Sequence, residues 1–108
     1  MTTINFNGEE LRLVQSTYTN NNALYVGLSS KDGEYYGDIT VNLSNSGTLP
    51  SDCAYIDTNN LSWKIVEILI DAGIVTPLCQ SARSGFCTYY AFRFTNLSDI
   101  DDISESVS

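Results

Sequence analysis

Turn-forming residues recur at short intervals along the first half of the chain, and alternating apolar and polar residues fill each interval. The Asn-Gly pair at 7–8, the asparagine-rich run at 19–22 and the Asp-Gly pair at 32–33 all tolerate the left-handed backbone of tight turns. The segments between them alternate with a period of two, which is the period of a half-buried strand. Residues 4–43 are therefore predicted to form four strands connected as an antiparallel meander.

A helical pattern occurs once, in residues 57–73. Apolar residues recur there at intervals of three and four, with charged residues on the opposite face. The apolar face is formed by Leu61, Ile65, Ile68, Leu69 and Ala72, and the charged face by Lys64, Glu67 and Asp71. Residues 57–60 offer several N-cap side chains, and Gly73 is the expected C′ residue after the last turn. Trp63 is expected to pack in the core, with an exposed interface position as the alternative.

Two further short strands are predicted around this helix. "CAYI" at 53–56 is apolar enough for a buried strand, and "FCTYYAFRF" at 86–94 alternates again, while residues 44–52 are predicted to be a loop. The sequence therefore predicts an α+β fold, with an antiparallel sheet of about five or six strands and one helix packed on one face. We expect a single domain over residues 1–97 and an acidic, disordered tail over residues 98–108. An open sheet edge permits either a monomer or a dimer.

The charge balance constrains the partners of the chain. Thirteen acidic residues oppose five basic ones, for a net charge of −8. This balance argues against direct binding to nucleic acid or to an anionic membrane, since both require a basic surface. It favours a protein partner with a basic surface, and the alternative is that the charge serves solubility alone. The longest apolar stretch is interrupted by Glu67 and Asp71, and no basic leader precedes an apolar run, so we expect a cytoplasmic protein without a membrane span.

Three cysteines invite three interpretations. They are either buried apolar residues, zinc ligands or a redox pair with a spare thiol. An odd count in a reducing compartment argues against a disulfide framework. A structural zinc ion would be held by Cys53, Cys79 and Cys87, with Asp52 or Asp57 as candidates for the fourth ligand.

Catalytic patterns are missing from the sequence. The chain has no histidine, and therefore no Ser-His or Cys-His pair, and it contains no phosphate-binding glycine loop. The sequence therefore predicts a binding protein and no enzymatic activity. A small enzyme with a cysteine nucleophile is the remaining catalytic alternative.

Two segments resemble a known group of proteins. "DTNN" at 57–60 with Trp63 three residues further on, and "SGFCTY" at 84–89, are similar to a pattern in small uncharacterised acidic proteins. Those proteins are carried on conjugative elements and phages of Gram-positive bacteria and Bacteroidetes. The resemblance covers the second half of the chain. Cysteines at the positions of Cys53 and Cys87 are usual in that group, whereas Cys79 is less typical.

The resemblance implies a function for the acidic surface. Cargo of mobile elements often defends the element against host immunity, and small acidic proteins are frequent among anti-CRISPR inhibitors. We therefore expect an anti-CRISPR protein that binds a type II Cas nuclease and blocks loading of guide or target DNA, with Tyr35, Tyr36 and Tyr90 as exposed anchors. The alternative is an accessory protein of a mobile element that binds another protein partner without catalysis.

Overall fold

The fold is α+β, as predicted, with nine strands and one α-helix among the described residues. The structure is a computed structural model that describes residues 1–43 and 49–107. The strands are β1 (Thr3–Phe6), β2 (Glu9–Thr17), β3 (Leu24–Ser30), β4 (Tyr35–Asp38), β5 (Thr40–Val41), β6 (Cys53–Ile56), β7 (Val75–Ser84), β8 (Cys87–Phe94) and β9 (Asp101–Asp102); the helix is α1 (Trp63–Asp71), and a 3-10 turn covers Leu97–Asp99. The loop predicted over residues 44–52 lies partly outside the described residues.

The first sheet contains the predicted meander. Its order is β1-β2-β3-β4, all antiparallel, with β9 lying parallel to β2 beyond the end of β1. The turns form where the sequence places them. Asn7 and Gly8 have φ values of 53° and 80°, and Gly33 has a φ of 87°. These backbone conformations are the ones that Asn and Gly adopt at low cost.

The second sheet has the order β5-β6-β8-β7 and is antiparallel throughout. Its longest strand, β7, was not predicted from the sequence, and it contains Pro77, which has no N–H to donate to a ladder. The structure resolves this conflict by placing β7 at the sheet edge, with a register shift between Pro77 and Ser81. A tight turn at Gly85 and Phe86, with a Gly85 φ of 62°, joins β7 to β8. "CQSARSGFC" is therefore the second part of β7, the turn and the first residue of β8.

The chain moves from one sheet to the other at Ile39. The sequence predicts one continuous strand over residues 35–43, but this stretch is divided into β4 in the first sheet and β5 in the second. The Ile39 N–H donates to Val26 O at 3.0 Å, and Ile39 O accepts from Asp57 N–H at 2.9 Å. A single buried residue thus bonds to β3 of the first sheet and to the residue that follows β6 of the second. The strands thus form two sheets, of five and four strands, where the pattern predicted one sheet of about five or six.

The helix is shorter than predicted at its start. Its N-cap is Ser62, whose hydroxyl accepts a hydrogen bond from Lys64 N–H at 3.2 Å, whereas residues 58–60 form a turn before it. The predicted end is confirmed: Gly73 has a φ of 72°, and its N–H donates to Ile70 O at 3.0 Å. The next N–H, of Ile74, donates to Leu69 O at 2.9 Å, which completes a Schellman motif.

The expectation that Trp63 packs in the core is wrong. Trp63 is the first residue of the helix, and 56% of its surface is exposed. The helix buries Ile65, Val66 and Leu69, which lie on the face directed at the core. Trp63 lies outside that face, so helical geometry leaves the indole in solvent.

One hydrophobic cluster joins the helix and both sheets. It consists of Ile4, Leu11, Leu13, Leu24, Val26, Leu28, Ile39, Ala54, Ile56, Ile65, Val66, Leu69, Val75, Phe92, Phe94 and Ile100. The members from β2, β3, β6 and β8 are the alternate residues that the strand period selects. The largest fully buried side chain is that of Phe94. Hydrophobic burial in this shared cluster is what holds the two short sheets together.

Residues 98–107 are held against the first sheet, and this differs from the predicted disordered tail. Ile100 is 3% exposed and belongs to the core cluster. β9 pairs with β2, and Val107 bridges to Tyr18. Gln15 secures the segment further, because its side-chain amide donates to Leu97 O at 2.6 Å and to Ile100 O at 2.8 Å. The prediction rested on the acidic composition of the segment and did not take account of the buried Ile100 or of the backbone hydrogen bonds.

We predict that Gln15→Ala loosens this segment. The substitution removes the Gln15 donor from both carbonyls; Leu97 O still accepts from Ile100 N–H, whereas Ile100 O loses its side-chain partner, which costs about 1 to 3 kcal/mol of unfolding free energy. Denaturant unfolding measures the loss, and amide hydrogen exchange should show faster exchange at residues 100–103. Gln80→Ala is the matched control, because Gln80 is exposed and makes only a 3.4 Å contact with Tyr55 Oη. Equal stability of the two variants would contradict the role given to Gln15.

Candidate functional site

The three cysteines lie at separate places in the second sheet. Cys53 begins β6 and pairs with Arg93, near the end of β8, whereas Cys87 is the first residue of β8. Six residues of extended strand separate Cys87 from Arg93, which corresponds to about 20 Å. Cys79 lies in the irregular part of β7, two strands away from β6. The hairpin geometry therefore keeps the thiols apart.

This arrangement does not bring together the predicted zinc ligands. Zinc ligands all lie about 2.3 Å from one ion, so their sulfur atoms must converge. A single zinc ion held by Cys53, Cys79 and Cys87 would require β8 to fold back on itself. Across residues 1–43 and 49–107, no three Cys, Asp or Glu side chains are grouped as a metal site requires. The suggested fourth ligands have other neighbours: Asp52 pairs with Arg93, and Asp57 lies near the start of the helix.

Cys53 is the one cysteine with a defined buried environment. It is 2% exposed, and its thiol donates to Asp52 Oδ1 at 3.3 Å. Burial, followed by the adjacent carboxylate, raises the pKa of the Cys53 thiol. The hydrogen bond from that thiol, together with Arg93, whose Nε lies 3.2 Å from Asp52 Oδ2, lowers the pKa of Asp52. Burial and a raised pKa are the features of a cysteine of the interior, and they lower the reactivity of its thiol.

The cysteines are predicted to react with iodoacetamide at different rates. Cys79 is exposed, Cys87 is partly buried and Cys53 is buried. Since only an accessible thiolate is alkylated, Cys79 should react fastest and Cys53 slowest. Mass spectrometry of peptides from the native protein measures the order. Alkylation in denaturant, where all three should react alike, is the control, and equal native rates for Cys53 and Cys79 would contradict the structure.

Exposed aromatic side chains occur on both sheets. Tyr35 and Tyr36, both in β4, are 71% and 42% exposed, and Tyr90 in β8 is 49% exposed. Phe86, at the tip of the β7–β8 turn, is fully exposed. Apolar rings in solvent are poor for stability but suited to an interface. The sequence identified the three tyrosines but did not identify Trp63 or Phe86 as exposed.

Tyr35 and Tyr36 line an open groove between β4 and the start of the helix, which we call the β4–α1 groove. Its volume is about 440 Å³. The lining consists of Tyr35, Tyr36, Gly37, Asp38, Asp57, Asn60, Leu61, Ser62 and Ile65. Two aromatic rings and two acidic residues thus share one concave surface, while Tyr90 lies outside it. A concave surface with a few polar groups is the usual form of a binding site.

A hydrogen bond from Tyr25 orients the Asp38 side chain, and the Tyr25 ring reaches it by lying over Gly27. The Tyr25 hydroxyl donates to Asp38 Oδ1 at 2.7 Å, across the pairing of Gly27 with Asp38. A Cβ atom on Gly27 would lie 2.1 Å from the Tyr25 hydroxyl oxygen, so only glycine leaves room for the phenol ring. The spacing Tyr-x-Gly in β3 is the sequence feature that could have revealed this contact. It holds the Asp38 carboxylate in one orientation.

Only one of the two carboxylate oxygens of Asp57 accepts a hydrogen bond. Its Oδ2 accepts from the Asn60 side-chain amide at 3.0 Å, whereas its Oδ1 is buried and accepts no hydrogen bond. The two ion pairs formed by the described residues, Arg12 with Asp101 and Arg93 with Asp52, involve neither groove carboxylate. Among the described residues, no Lys or Arg therefore forms an ion pair with either carboxylate of the β4–α1 groove.

Two tyrosines beside the groove are predicted to make the fold sensitive to alkali. Burial, more than any other cause, raises the pKa of both Tyr18 and Tyr25, and the Asp38 carboxylate adds to the effect at Tyr25. A raised folded-state pKa gives stability that is complete below the unfolded pKa of about 10 and lost as pH rises above it. The loss reaches up to about 1.4 kcal/mol per pH unit for each tyrosine.

Unfolding free energies measured between neutral and strongly alkaline pH test this prediction. Tyr25→Phe removes one titrating group. In this variant the unfolding free energy should fall less steeply with pH, by up to about 1.4 kcal/mol per pH unit, the contribution of one proton. Tyr90→Phe is the control, because Tyr90 is half exposed. An unchanged slope in Tyr25→Phe would show that this phenol does not resist ionisation in the folded protein.

Comparisons with known proteins add a family match. A family model described as "Domain of unknown function (DUF4313)" matches residues 12–105. Comparison with curated proteins and with solved structures gave no match. Within the described chain, no helix combines the length and the apolar character that crossing a bilayer requires.

Proposed function

The chain belongs to the DUF4313 family, and since the function of that family is unknown, we propose a function from the surface of the molecule: it is an acidic inhibitor that binds a protein through a basic, nucleic-acid-binding surface. The observation that carries this proposal is the acidic and aromatic β4–α1 groove. Its carboxylates lack cationic partners among the described residues, while Tyr35 and Tyr36 stand exposed beside them. Exposed tyrosines and complementary charge are typical of interface centres.

We further propose that the partner is a type II Cas nuclease, which makes the chain an anti-CRISPR protein acting in the cytoplasm of a bacterial host. Such nucleases hold the guide–target heteroduplex in a positively charged channel. A small domain of net charge −8 is suited to occupy that channel and to exclude guide RNA or target DNA. The resemblance to small acidic proteins of mobile elements supports the same class of partner. The proposed mechanism is steric and electrostatic, without catalysis.

The direct test is DNA cleavage by a guide-loaded type II nuclease in the presence of the chain. We predict inhibition that weakens as ionic strength rises, because long-range attraction between charges is screened within about 10 Å at 0.1 M salt. The nuclease and the chain should also co-elute in gel filtration at low salt. Adding the chain before and after the guide RNA, and before and after the DNA, identifies the step that is blocked.

A matched pair of variants makes this test specific. Asp38→Lys reverses a charge that lines the groove, and Asp71→Lys reverses one at the end of the helix. Asp38→Lys should weaken inhibition about tenfold or more, whereas Asp71→Lys should change it little. No inhibition by the unmodified chain at low salt would refute a nuclease partner. Recovery of a different basic protein from the host would then favour the accessory-protein alternative.

A further inference from the structure

The β4–α1 groove has the composition of a receptor for a cationic side chain. Aromatic faces attract cations through their quadrupole, and carboxylates attract them by charge. Tyr35, Tyr36, Asp38 and Asp57 supply both features on one concave surface. Tyr35 and Asp38 line the same groove, and slight burial together with the negative charge of Asp38 raises the pKa of the Tyr35 phenol.

We propose that the β4–α1 groove binds an arginine side chain from an exposed basic segment of the partner, with the guanidinium against Tyr35 or Tyr36 and its N–H groups directed at the carboxylate of Asp38 or Asp57. This inference rests on the proposed function, because it names the part of a basic partner that the acidic surface recognises. It extends that function by assigning the contact to one groove and to one kind of side chain.

Arginine fits this surface better than lysine does. The guanidinium is planar, so it stacks on a phenol ring while its five donors reach carboxylates at the ring edge. It is also less strongly hydrated than an ammonium group, which lowers the cost of entering a partly enclosed groove. Asp38 is pre-oriented for this contact, because the hydrogen bond from Tyr25 fixes its side chain. A fixed acceptor loses little conformational freedom when the partner binds.

The rest of the surface is less suited to this role. Asp52 and Asp101 already pair with Arg93 and Arg12. Tyr90 is exposed but lies outside the groove. Exposed tyrosines and acidic residues without a cationic partner occur together in the groove lining, and this coincidence distinguishes the groove from the general negative charge.

Blocked peptides with a single variable residue test the proposal. Gly-Arg-Gly, Gly-Lys-Gly and Gly-citrulline-Gly differ in charge and planarity at one side chain, and each is titrated into the full chain while amide NMR shifts are recorded. We expect saturable shifts in residues 35–38 and 57–62 with the arginine peptide. Citrulline keeps the planar shape without the charge and should bind about tenfold more weakly or undetectably, a loss of about 1.4 kcal/mol. Lysine should fall between the two.

Matched variants locate the site. Tyr35→Ala and Asp38→Asn should each weaken the arginine peptide about tenfold, whereas Tyr90→Ala and Asp71→Asn should change its affinity less than about twofold. Tyr35 is largely exposed, and asparagine retains an acceptor for Tyr25, so both groove variants are expected to remain folded; their melting temperatures check this. Equal binding of the arginine and citrulline peptides, or equal losses in groove and control variants, would overturn the proposal.

The outcome is separable from that of the nuclease assay. If the chain inhibits the nuclease and both Tyr35→Ala and Asp38→Asn inhibit as well as the unmodified chain, the groove proposal is refuted and the proposed function stands. If the groove binds the arginine peptide but the chain inhibits no nuclease, the groove proposal stands and the nuclease is excluded as the partner. Loss of both nuclease inhibition and peptide binding in the groove variants would support the two together.

Discussion

The two sheets of this protein depend on the path of the chain through Ile39. This residue is fully buried, its N–H bonds to Val26 in the first sheet, and its carbonyl bonds to Asp57 just after the second sheet's β6. Thr40 follows at once, and its hydroxyl accepts from Val26 N–H at 3.1 Å. A strand that leaves one sheet exposes backbone groups that must be bonded elsewhere. Here two neighbouring residues provide those bonds inside the core.

The same crossing creates the candidate site. Because the chain turns away after Asp38, β4 ends beside the turns that precede the helix, and the space between them is the β4–α1 groove. Asp57 is bound by its N–H to Ile39, so one end of the groove is fixed by the crossing itself. Tyr25 fixes the other carboxylate by lying across Gly27. Hydrogen bonds thus hold both carboxylates of the groove in place, which suits a surface that must present charge in a defined direction.

The cysteines show how local sequence can mislead. Cys79 and Cys87 bracket a glycine, and a loop there would bring the two thiols together. The intervening residues instead continue β7 up to a tight turn at Gly85. The two cysteines therefore lie on paired strands of a hairpin, at different distances from the turn. Spacing along a chain fixes the distance between two side chains only when the secondary structure is known. In this hairpin, Cys87 lies opposite Ser84, and Cys79 lies several residues further along the ladder.

The sequence by itself determined the α+β class, the turns at 7–8 and 32–33, the helix stop at Gly73 and the alternate apolar residues of the core. These features are local, since each depends on backbone preferences or on a period of two or 3.6 residues. The tertiary structure alone decided the division into two sheets, the exposure of Trp63 and the docking of the acidic C-terminal segment. It also decided that Asp38 and Asp57 line the same groove. Each of these depends on contacts between residues distant in sequence, such as Gln15 with Ile100. Burial and hydrogen bonding between residues far apart in sequence produce no periodic pattern from which they could be predicted.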